Sequence, residues 1–465
     1  MTNKKTKIVC TLGPASESIK TLTDMIKAGM NVARLNFSHG DHENHGLLIK
    51  RIRQVSKKLD RPIAIVQDLH GPKIRVSGLK DALTVNVGQE VVIGKDFKLD
   101  TKVARSIRAG QQILIEDGLI ELEVKSVRGG RIHCIALSGG KIRNLKGVNL
   151  PRTKLKIPIL TKKDVDDLKF GLKQDVDYIA LSFVRTRADV KNLKKLIVRH
   201  NPKKFTTPKI IAKIEKPEAV KNFDGILKES DAIMVARGDL GVEMSESQVP
   251  IIQKQIINKC LEAAKPVIVA TQMLDSMIKN PRPTRAEVSD VANAVIDQTD
   301  AVMLSGESAF GKFPIKAVVE MNKIIEVTEK SKFLPSHKHL MAKVVSRTEA
   351  IAESVYDLAM HVKAKIIVGA TASGFTAREV SHKRPYLVRL IMLTPSPKVL
   401  RQMSLIWGVE SFLVAKVQNF EQLMKIMMRT LKDKQLAKKG EKVIMVTGEP
   451  LGQRENLNLV EIKTV

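Results

Sequence analysis

The chain has 465 residues, of which 43% are apolar and 28% are charged, a composition of folded proteins that excludes disorder as a global description. Lysine and arginine outnumber aspartate and glutamate by 79 to 49, and the resulting net charge of +30 attracts phosphorylated molecules and polyanions. Because no run approaches ~20 consecutive apolar residues and the amino terminus has no apolar stretch, we expect neither a membrane span nor a secretory signal.

Eight short apolar runs, each followed by a helix-like segment, recur through the first two-thirds of the chain. Runs that are buried on both faces and alternate with helices indicate a parallel sheet, and eight of them predict an α/β fold built on a closed (β/α)8 TIM barrel. The runs are Lys7–Leu12, Val32–Phe37, Ile63–Asp68, Tyr178–Phe183, Lys209–Glu215, Ala232–Gly238, Val267–Thr271 and Ala301–Ser305.

Polar or charged residues end seven of these eight runs. The carboxyl ends of barrel strands carry the active site in this fold, so these residues are predicted to surround a single site. They are Arg34 with Asn36, Asp68, Ser182, Lys213 with Glu215, Arg237 with Asp239, Thr271, and Ser305.

About a hundred residues separate the third run from the fourth, where ~2–6 would normally connect a strand to a helix. Alternating apolar residues and turn signals fill the interval, so we predict an inserted all-β domain, a small β-barrel, over 72–157. Pro151 and Pro158 near its end suit a hinge. An insertion beside the barrel mouth is placed to act as a lid that excludes water.

The composition changes again after residue 335. The segment Leu334–Leu340 has the composition of a linker, and five further apolar runs follow it. We therefore predict a separate open α/β sheet domain over 336–465, with regulatory or oligomerisation roles, and assign 1–71 together with 158–335 to the catalytic barrel.

Lys213 and Glu215 lie two residues apart on one predicted strand, so their side chains point the same way. With Asp239 at the end of the next strand, Glu215 makes a two-carboxylate site suited to Mg²⁺ or Mn²⁺. Lys213 and Arg34 can then stabilise charge on a phosphoryl group, because phosphoryl transfer depends on positioning and electrostatics. The alternative is a purely structural ion pair between Lys213 and Glu215.

Seven segments, in chain order, resemble the pyruvate kinase family, and the resemblance covers essentially the whole chain. It implies phosphoryl transfer from phosphoenolpyruvate to ADP, giving pyruvate and ATP, the last step of glycolysis. The segments are Lys7–Ser16, Gly29–Gly40, Ile211–Glu215, Met234–Glu243, Ala270–Met277, Pro283–Ala294 and Asp300–Glu307.

The resemblance also implies a role for each matching residue. The divalent metal ligands would be Glu215 and Asp239. The catalytic residues would be Lys213, Arg34, Thr271, Ser305 and Arg75, with Thr271 and Ser305 near the carbon where the enolate gains a proton. The substrate would contact backbone groups around Arg237, Gly238 and Asp239, together with Thr271 and Ser182. The nucleotide phosphates would lie near His39, Lys163 and Asn36.

One departure from the family concerns a monovalent cation. The usual motif Asp-Thr-Lys-Gly-Pro-Glu-Ile-Arg becomes Asp-Leu-His-Gly-Pro-Lys-Ile-Arg over Asp68–Arg75. In potassium-activated members a K⁺ lies among the positions of Asn36, Ser38, Asp68 and Leu69. Lys73 replaces the motif's glutamate and supplies a fixed ammonium, so we predict that K⁺ is not required. The alternative is that Lys73 points to solvent and the K⁺ site survives.

The C-terminal domain contains a candidate regulatory loop. Thr371, Ser373, Gly374 and Thr376 follow a predicted strand and open a helix, an arrangement that binds anions, and they resemble the family's loop for a sugar-phosphate effector. Phe375 stands where many members have arginine, and the last loop, Gly452–Asn456, is also atypical. A phosphorylated effector site and an inert turn both remain open. The family resemblance further implies a homotetramer.

Two other functions were weighed against this one. A different Mg²⁺-dependent barrel enzyme acting on an enolate is disfavoured by Arg34, Lys163 and the lid. A nucleic-acid-binding protein is disfavoured because 12 Phe, 3 Tyr and 1 Trp are few for base stacking. We therefore expect neither nucleic-acid nor membrane partners, and three scattered cysteines without a CxxC pair indicate a reduced, cytoplasmic protein.

Overall fold

The structure is a computed structural model that describes residues 4–151, 153, 157–201, 207–334, 346–448 and 456–465. Most of the predicted linker, from Pro335 to Leu340, and most of the last loop, Gly452–Glu455, lie outside these residues. The strands, numbered in chain order, are β1 Lys7–Leu12, β2 Val32–Asn36, β3 Ala64–Asp68, β4 Leu83–Val85, β5 Glu90–Ile93, β6 Gln112–Ile115, β7 Ile120–Arg128, β8 Arg131–Ala136, β9 Gly140–Ile142, β10 Val148–Asn149, β11 Tyr178–Leu181, β12 Lys209–Ile214, β13 Ala232–Ala236, β14 Val267–Ala270, β15 Ala301–Leu304, β16 Ile366–Ala370, β17 Arg389–Thr394, β18 Val409–Leu413, β19 Lys442–Thr447 and β20 Leu459–Thr464.

The helices follow the same numbering. They are α1 Ile19–Ala28, α2 His42–Lys58, α3 Thr101–Ala104, α4 Lys162–Lys173, α5 Arg187–His200, α6 Pro217–Lys221, α7 Phe223–Glu229, α8 Arg237–Glu243, α9 Val249–Glu262, α10 Arg285–Ile296, α11 Gly306–Ala309, α12 Pro314–Glu329, α13 Arg347–His361, α14 Phe375–Ser381, α15 Pro397–Gln402 and α16 Phe420–Asp433. Short 3-10 turns lie at Glu246–Gln248, Asp275–Ile278 and Met403–Leu405. None of the helices in the described ranges is long and apolar enough to cross a membrane.

Eight parallel strands close into a barrel in the order β1-β15-β14-β13-β12-β11-β3-β2, which confirms the predicted (β/α)8 fold. The strands are buried on both faces because one face fills the barrel interior while the other packs on the surrounding helices. Side-chain caps start several of the helices, as where Thr161 and Asp164 form a reciprocal capping box on α4. The parallel register brings the carboxyl ends of all eight strands to one rim.

The insertion after β3 consists of β4–β10 and the one-turn helix α3. Its strands form a five-stranded antiparallel sheet, β10-β6-β7-β8-β5, and a two-stranded one, β4-β9, around one apolar core. The predicted small barrel is thus seen as two hydrogen-bonded sheets. The chain enters this lid at Gly71, which has a φ of 71°. A Cβ at this position would lie 2.9 Å from the Phe183 ring, so both the backbone conformation and the available space favour glycine.

The C-terminal domain is an open sheet in the order β18-β17-β16-β19-β20, with β20 antiparallel to β19, as predicted. Buried polar contacts join this domain to the barrel. Arg384 pairs with Asp300 at 3.1 Å, and the Tyr178 hydroxyl donates to the carbonyl of Gln402 at 2.7 Å. These contacts lie at the rim opposite the strand ends that carry the predicted site.

Candidate active site

Lys213, at the end of β12, is the centre of the polar cluster at the carboxyl rim. Its Nζ lies 2.7 Å from Glu215 Oε1 and 3.3 Å from Asp68 Oδ2, and it donates to Ser182 Oγ at 2.9 Å. Burial would lower the pKa of Lys213, but the charges of Asp68 and Glu215 outweigh it and raise that pKa above its usual value. The lysine is therefore held in its charged form.

A second cation reaches the same carboxylate from β2. Arg34 Nε donates to Asp68 Oδ2 at 2.7 Å, and Nη1 donates to Thr11 Oγ1 at 2.8 Å. Asp68 is 1% exposed, and although burial opposes it, the charges of Lys213 and Arg34 hold the pKa of its carboxyl below the usual value. Asp68 thus fixes two cations side by side at the mouth of the barrel.

Glu215 and Asp239 supply the oxygens of the predicted metal site. Glu215 is 1% exposed and accepts the Phe183 amide at 2.6 Å. Burial raises the pKa of Glu215, Lys213 opposes this, and the neighbouring charge of Asp239 adds to it. Asp239 is half-buried in the first turn of α8, and its carboxylate has no hydrogen bond to any described residue.

These two carboxylates fit a hard divalent cation. Their donor atoms are all oxygen, and the Asp239 carboxylate has no partner within the described ranges. A cation between the two carboxylates would relieve their mutual repulsion. No group of three or more His, Cys, Asp or Glu side chains in the described parts of the chain could hold a metal. The pair instead matches the magnesium pattern in which one or two carboxylates bind the ion and substrate oxygens and water complete its shell.

The ends of β14 and β15 place two hydroxyls on the far side of the site. Thr271 has a φ of 70°, unusual for a β-branched residue, and its Oγ1 accepts the amide of Gly238 at 2.7 Å. The Ser305 Oγ is buried and has no partner among the described residues. Glu307 joins the two strand ends by accepting the amides of Leu274 and Ser305 at 3.1 Å and 2.7 Å.

Arg237 turns its guanidinium away from the cluster, toward the loop after β14. It pairs with Asp290 of α10 at 2.7 Å and donates to the carbonyl of Thr271 at 2.8 Å. The side chain therefore holds that loop in place. Any contact of Arg237 with substrate falls to its backbone, which begins helix α8 beside Gly238.

Lys163 on α4 reaches the other side of the mouth. Its Nζ donates to the carbonyl of Phe37 at 2.9 Å and lies 2.6 Å from Asp167 Oδ2, while His42 Nε2 lies 2.8 Å from Asp167 Oδ1. His39 is exposed, and its carbonyl accepts from His45 Nε2 at 2.9 Å. The predicted nucleotide residues thus line one edge, with Asp167 as the buried anchor.

The residues predicted for the monovalent cation also lie together. Asn36 Oδ1 accepts the Ser38 amide at 3.1 Å, and Ser38 Oγ lies 2.6 Å from His70 Nδ1. Leu69 contributes a buried apolar side chain, and its carbonyl accepts from Ser182 Oγ at 2.8 Å. The side-chain oxygens of Asn36 and Ser38 are therefore already in hydrogen-bond contact with protein atoms.

Lys73 and Arg75 lie at the base of the lid rather than in this cluster. Lys73 is exposed, and its stem packs against Gly147, with Cε 3.2 Å from where a Cβ would stand. It lines the same cleft as Asp239, Lys216 and Arg185. Arg75 donates to the carbonyl of Leu145 at 2.8 Å.

The predicted effector loop caps helix α14. Thr371 Oγ1 accepts the Gly374 amide at 2.9 Å, and Gly374 adopts the left-handed conformation with a φ of 82°. Ser373 is exposed and Thr376 is buried. The loop lines a cavity of about 880 Å³.

Four supporting residues were missed by sequence reasoning: Thr11, Asp167, Asp290 and Glu307. None of them ends a strand run, and each has at least one partner far away along the chain. Thr11, Asp290 and Glu307 lay within segments that had been singled out, namely Lys7–Ser16, Pro283–Ala294 and Asp300–Glu307, whereas Asp167 lay outside all of them.

Comparison with known proteins gives a consistent result. The family model described as "Pyruvate kinase, barrel domain" matches residues 3–318, and "Pyruvate kinase, alpha/beta domain" matches residues 349–463. The chain is 42% identical to a pyruvate kinase of Geobacillus stearothermophilus and 43% identical to one of Staphylococcus haemolyticus, in each case over 99% of this chain and 80% of the relative. It is also similar to the crystal structure of a pyruvate kinase from Cryptosporidium parvum, with a TM-score of 0.92, 37% identity, and coverage of 99% of this chain and 96% of the other.

Proposed function

Since the chain belongs to the pyruvate kinase family and forms pyruvate and ATP from phosphoenolpyruvate and ADP, we propose that the reaction uses a divalent metal ion held by Glu215 and Asp239 and needs no potassium. The observation that carries this proposal is the cluster in which Lys213 contacts Glu215 and Asp68 at 2.7 Å and 3.3 Å. It places fixed cations beside an oxygen-donor pair at the barrel mouth.

The chain's own residues divide the work of phosphoryl transfer. Lys213 and Arg34, held by Asp68, would face the transferring phosphoryl group and offset its charge. When bound, Mg²⁺ or Mn²⁺ would polarise the phosphoryl and enolate oxygens. Lys163, anchored by Asp167, would position the phosphates of ADP.

The second half of the reaction delivers a proton to the enolate of pyruvate. Thr271 and Ser305 lie at the ends of neighbouring strands, and the Ser305 hydroxyl lacks a partner among the described residues. We assign proton delivery to this side of the site, directly or through water. The lid, joined at Gly71, would exclude water during phosphoryl transfer.

The metal proposal is tested by activity in chelated and metal-titrated enzyme. We expect no pyruvate formation from phosphoenolpyruvate and ADP in EDTA and full recovery with Mg²⁺ or Mn²⁺. The Asp239→Asn variant should need a much higher Mg²⁺ concentration, while Asp224→Asn, on an exposed helix, should match the wild type. Equal activity with and without the chelator would contradict the proposal.

Potassium independence is supported by the side chains around the expected cation position. Asp68 already pairs with Arg34 and Lys213, and Leu69 has no side-chain oxygen. A K⁺ ion there would add a charge where two cations already stand. Lys73 lies outside this group, in the cleft that Asp239 also lines, so its role as the substitute ammonium rests on the family resemblance. If Lys73 has that role, Lys73→Glu makes activity depend on K⁺, whereas the matched change Lys80→Glu elsewhere in the lid does not.

We further propose that the loop Thr371–Thr376 binds a phosphorylated effector. Its left-handed Gly374 and the adjoining cavity of about 880 Å³ support this. The family resemblance supports a cytoplasmic homotetramer. Sedimentation equilibrium would test the assembly, with an expected mass four times the 51.6 kDa chain; a mass equal to one chain would contradict it.

A further inference from the structure

The two connections between the lid and the barrel both lie against the segment that follows β11. The chain enters the lid at Gly71, where a Cβ would lie 2.9 Å from the Phe183 ring. At the other end of the lid, Arg185 Nη2 donates to the carbonyl of Ile157 at 2.9 Å. The cleft at this corner is also lined by Asp239. The lid therefore meets the barrel beside one of the proposed metal ligands.

A further contact between the lid and the barrel runs through Glu243, the last residue of α8. Its side chain is 1% exposed, and its Oε1 accepts a hydrogen bond at 2.8 Å from Nδ2 of Asn149, on lid strand β10. The same oxygen forms an ion pair with Lys216 Nζ. A buried carboxylate is costly unless it is paired and hydrogen-bonded. Glu243 meets this requirement with one partner in the lid and one in the barrel.

The ion pair joins the two segments that carry the proposed metal ligands. Lys216 directly follows Glu215, and Glu243 lies four residues after Asp239, on the same face of α8. Phe183 holds the first of these segments, because its amide donates to Glu215 Oε2 at 2.6 Å and its ring centre lies 5.8 Å from Lys216 Nζ. The position of Glu243 is therefore tied to the positions of both carboxylates.

We propose that Glu243 is a positioning residue that couples the lid to the metal site; this rests on the metal site proposed above. The ion pair with Lys216 holds the segments of Glu215 and Asp239 at their present separation, and the hydrogen bond from Asn149 carries that position to the lid. A cation bound by the two carboxylates fixes both segments, and through Glu243 it makes opening of the lid rarer. Because such a coupling is reciprocal, a closed lid also favours binding of the cation.

The lid contains a second lysine–glutamate pair that offers a matched control. Lys146 and Glu116 pair with each other inside the lid, and neither side chain has a hydrogen bond or ion pair to a described residue of the barrel. Glu116→Gln thus removes the same charge from the same kind of pair without touching the connection between the lid and the metal ligands.

The test is hydrogen exchange of the full-length protein, followed by mass spectrometry with and without Mn²⁺, alongside calorimetric titration of Mn²⁺. In the wild type, Mn²⁺ should slow exchange about tenfold at the lid entry and around β10, residues 70–76 and 146–150. In Asn149→Ala, which leaves the ion pair intact, Mn²⁺ should still bind but no longer slow this exchange. Glu243→Gln should also raise the Kd for Mn²⁺ about tenfold, because Lys216 loses its counter-charge beside the site. Glu116→Gln should match the wild type in both measurements.

The outcomes separate the coupling from the metal site. If Mn²⁺ slows exchange equally in the wild type and in Asn149→Ala, or leaves the exchange of the wild type unchanged although it binds, the coupling is wrong while the metal site stands. If Mn²⁺ does not bind the wild type, the metal site and the coupling both fail. Should Glu243→Gln not fold, Asn149→Ala carries the comparison, because it leaves the buried ion pair in place.

Discussion

Replacing Lys213 with methionine tests the arrangement of the site most severely. The change keeps the length of the side chain but removes the charge that lies 2.7 Å from Glu215, 3.3 Å from Asp68 and 2.9 Å from Ser182. Asp68 keeps its pair with Arg34, but Glu215 keeps only the Phe183 amide. The variant therefore loses the positive charge that stabilises the transferring phosphoryl group and Glu215.

The expected size of the effect follows from these contacts. Removing one preorganised positive group from a developing anion lowers kcat by about 10²–10³-fold. Leaving one buried carboxylate without its partner costs about 3 kcal/mol of folding free energy. The KM for ADP should change little, because Lys163 and Asp167 lie on the other edge of the mouth.

Steady-state pyruvate formation and a thermal melt of the same sample separate the two effects. Lys195→Met serves as the matched control for the charge change and should behave as the wild type. A Lys213→Met enzyme that keeps kcat within threefold of the wild type while remaining folded would refute the role given to this lysine.

Three further predictions concern other contacts. Asp167→Asn should raise the KM for ADP about tenfold with little change in kcat, since it loosens Lys163; steady-state kinetics decide, and an unchanged KM contradicts the anchoring role. Ser305→Ala should lower kcat without raising the KM for phosphoenolpyruvate; a raised KM alone would assign Ser305 to binding instead. Burial lowers the pKa of Lys4 to about 7, so the unfolded chain binds more protons than the folded one between about pH 7 and 10.5. The unfolding free energy of the wild type relative to Lys4→Met should therefore rise with pH over that interval. Urea unfolding at pH 7 and pH 9 measures it, and a fall with pH would contradict the sign.

The barrel and the core of its site could be predicted from the sequence. Each strand is an apolar run buried on both faces, and the parallel order brings the run ends to one rim. Lys213, Glu215 and Asp68 therefore meet, although Asp68 and Lys213 are far apart in the chain. The strand ends differ from the predicted ones by at most two residues, as where Phe183 follows a strand that stops at Leu181.

Side-chain directions and distant partners could not be predicted in this way. Arg237 was placed at the end of a strand, but the strand stops at Ala236 and Arg237 begins α8. Nothing in the sequence indicated that its guanidinium would pair with Asp290 of α10. Asp167 belongs to a helix whose sequence gives no reason to expect a buried carboxylate.

The inserted domain shows what patterns of alternating apolar residues can and cannot predict. They predicted an all-β insertion but not how its strands divide into a five-stranded and a two-stranded sheet, since pairing depends on contacts across long loops. The helix Thr101–Ala104 was also missed, because a single turn has no apolar period. Its start is set locally by Asp100, whose side chain accepts the amides of Lys102 and Val103.

The most direct test of the account is pyruvate formation from phosphoenolpyruvate and ADP with Mg²⁺, measured for the wild type in parallel in K⁺ and in a K⁺-free buffer with an organic cation. The account predicts equal rates in both. Activity only in K⁺ would keep the phosphoryl transfer but contradict the proposed potassium independence. A folded protein without activity in either buffer would contradict the account as a whole.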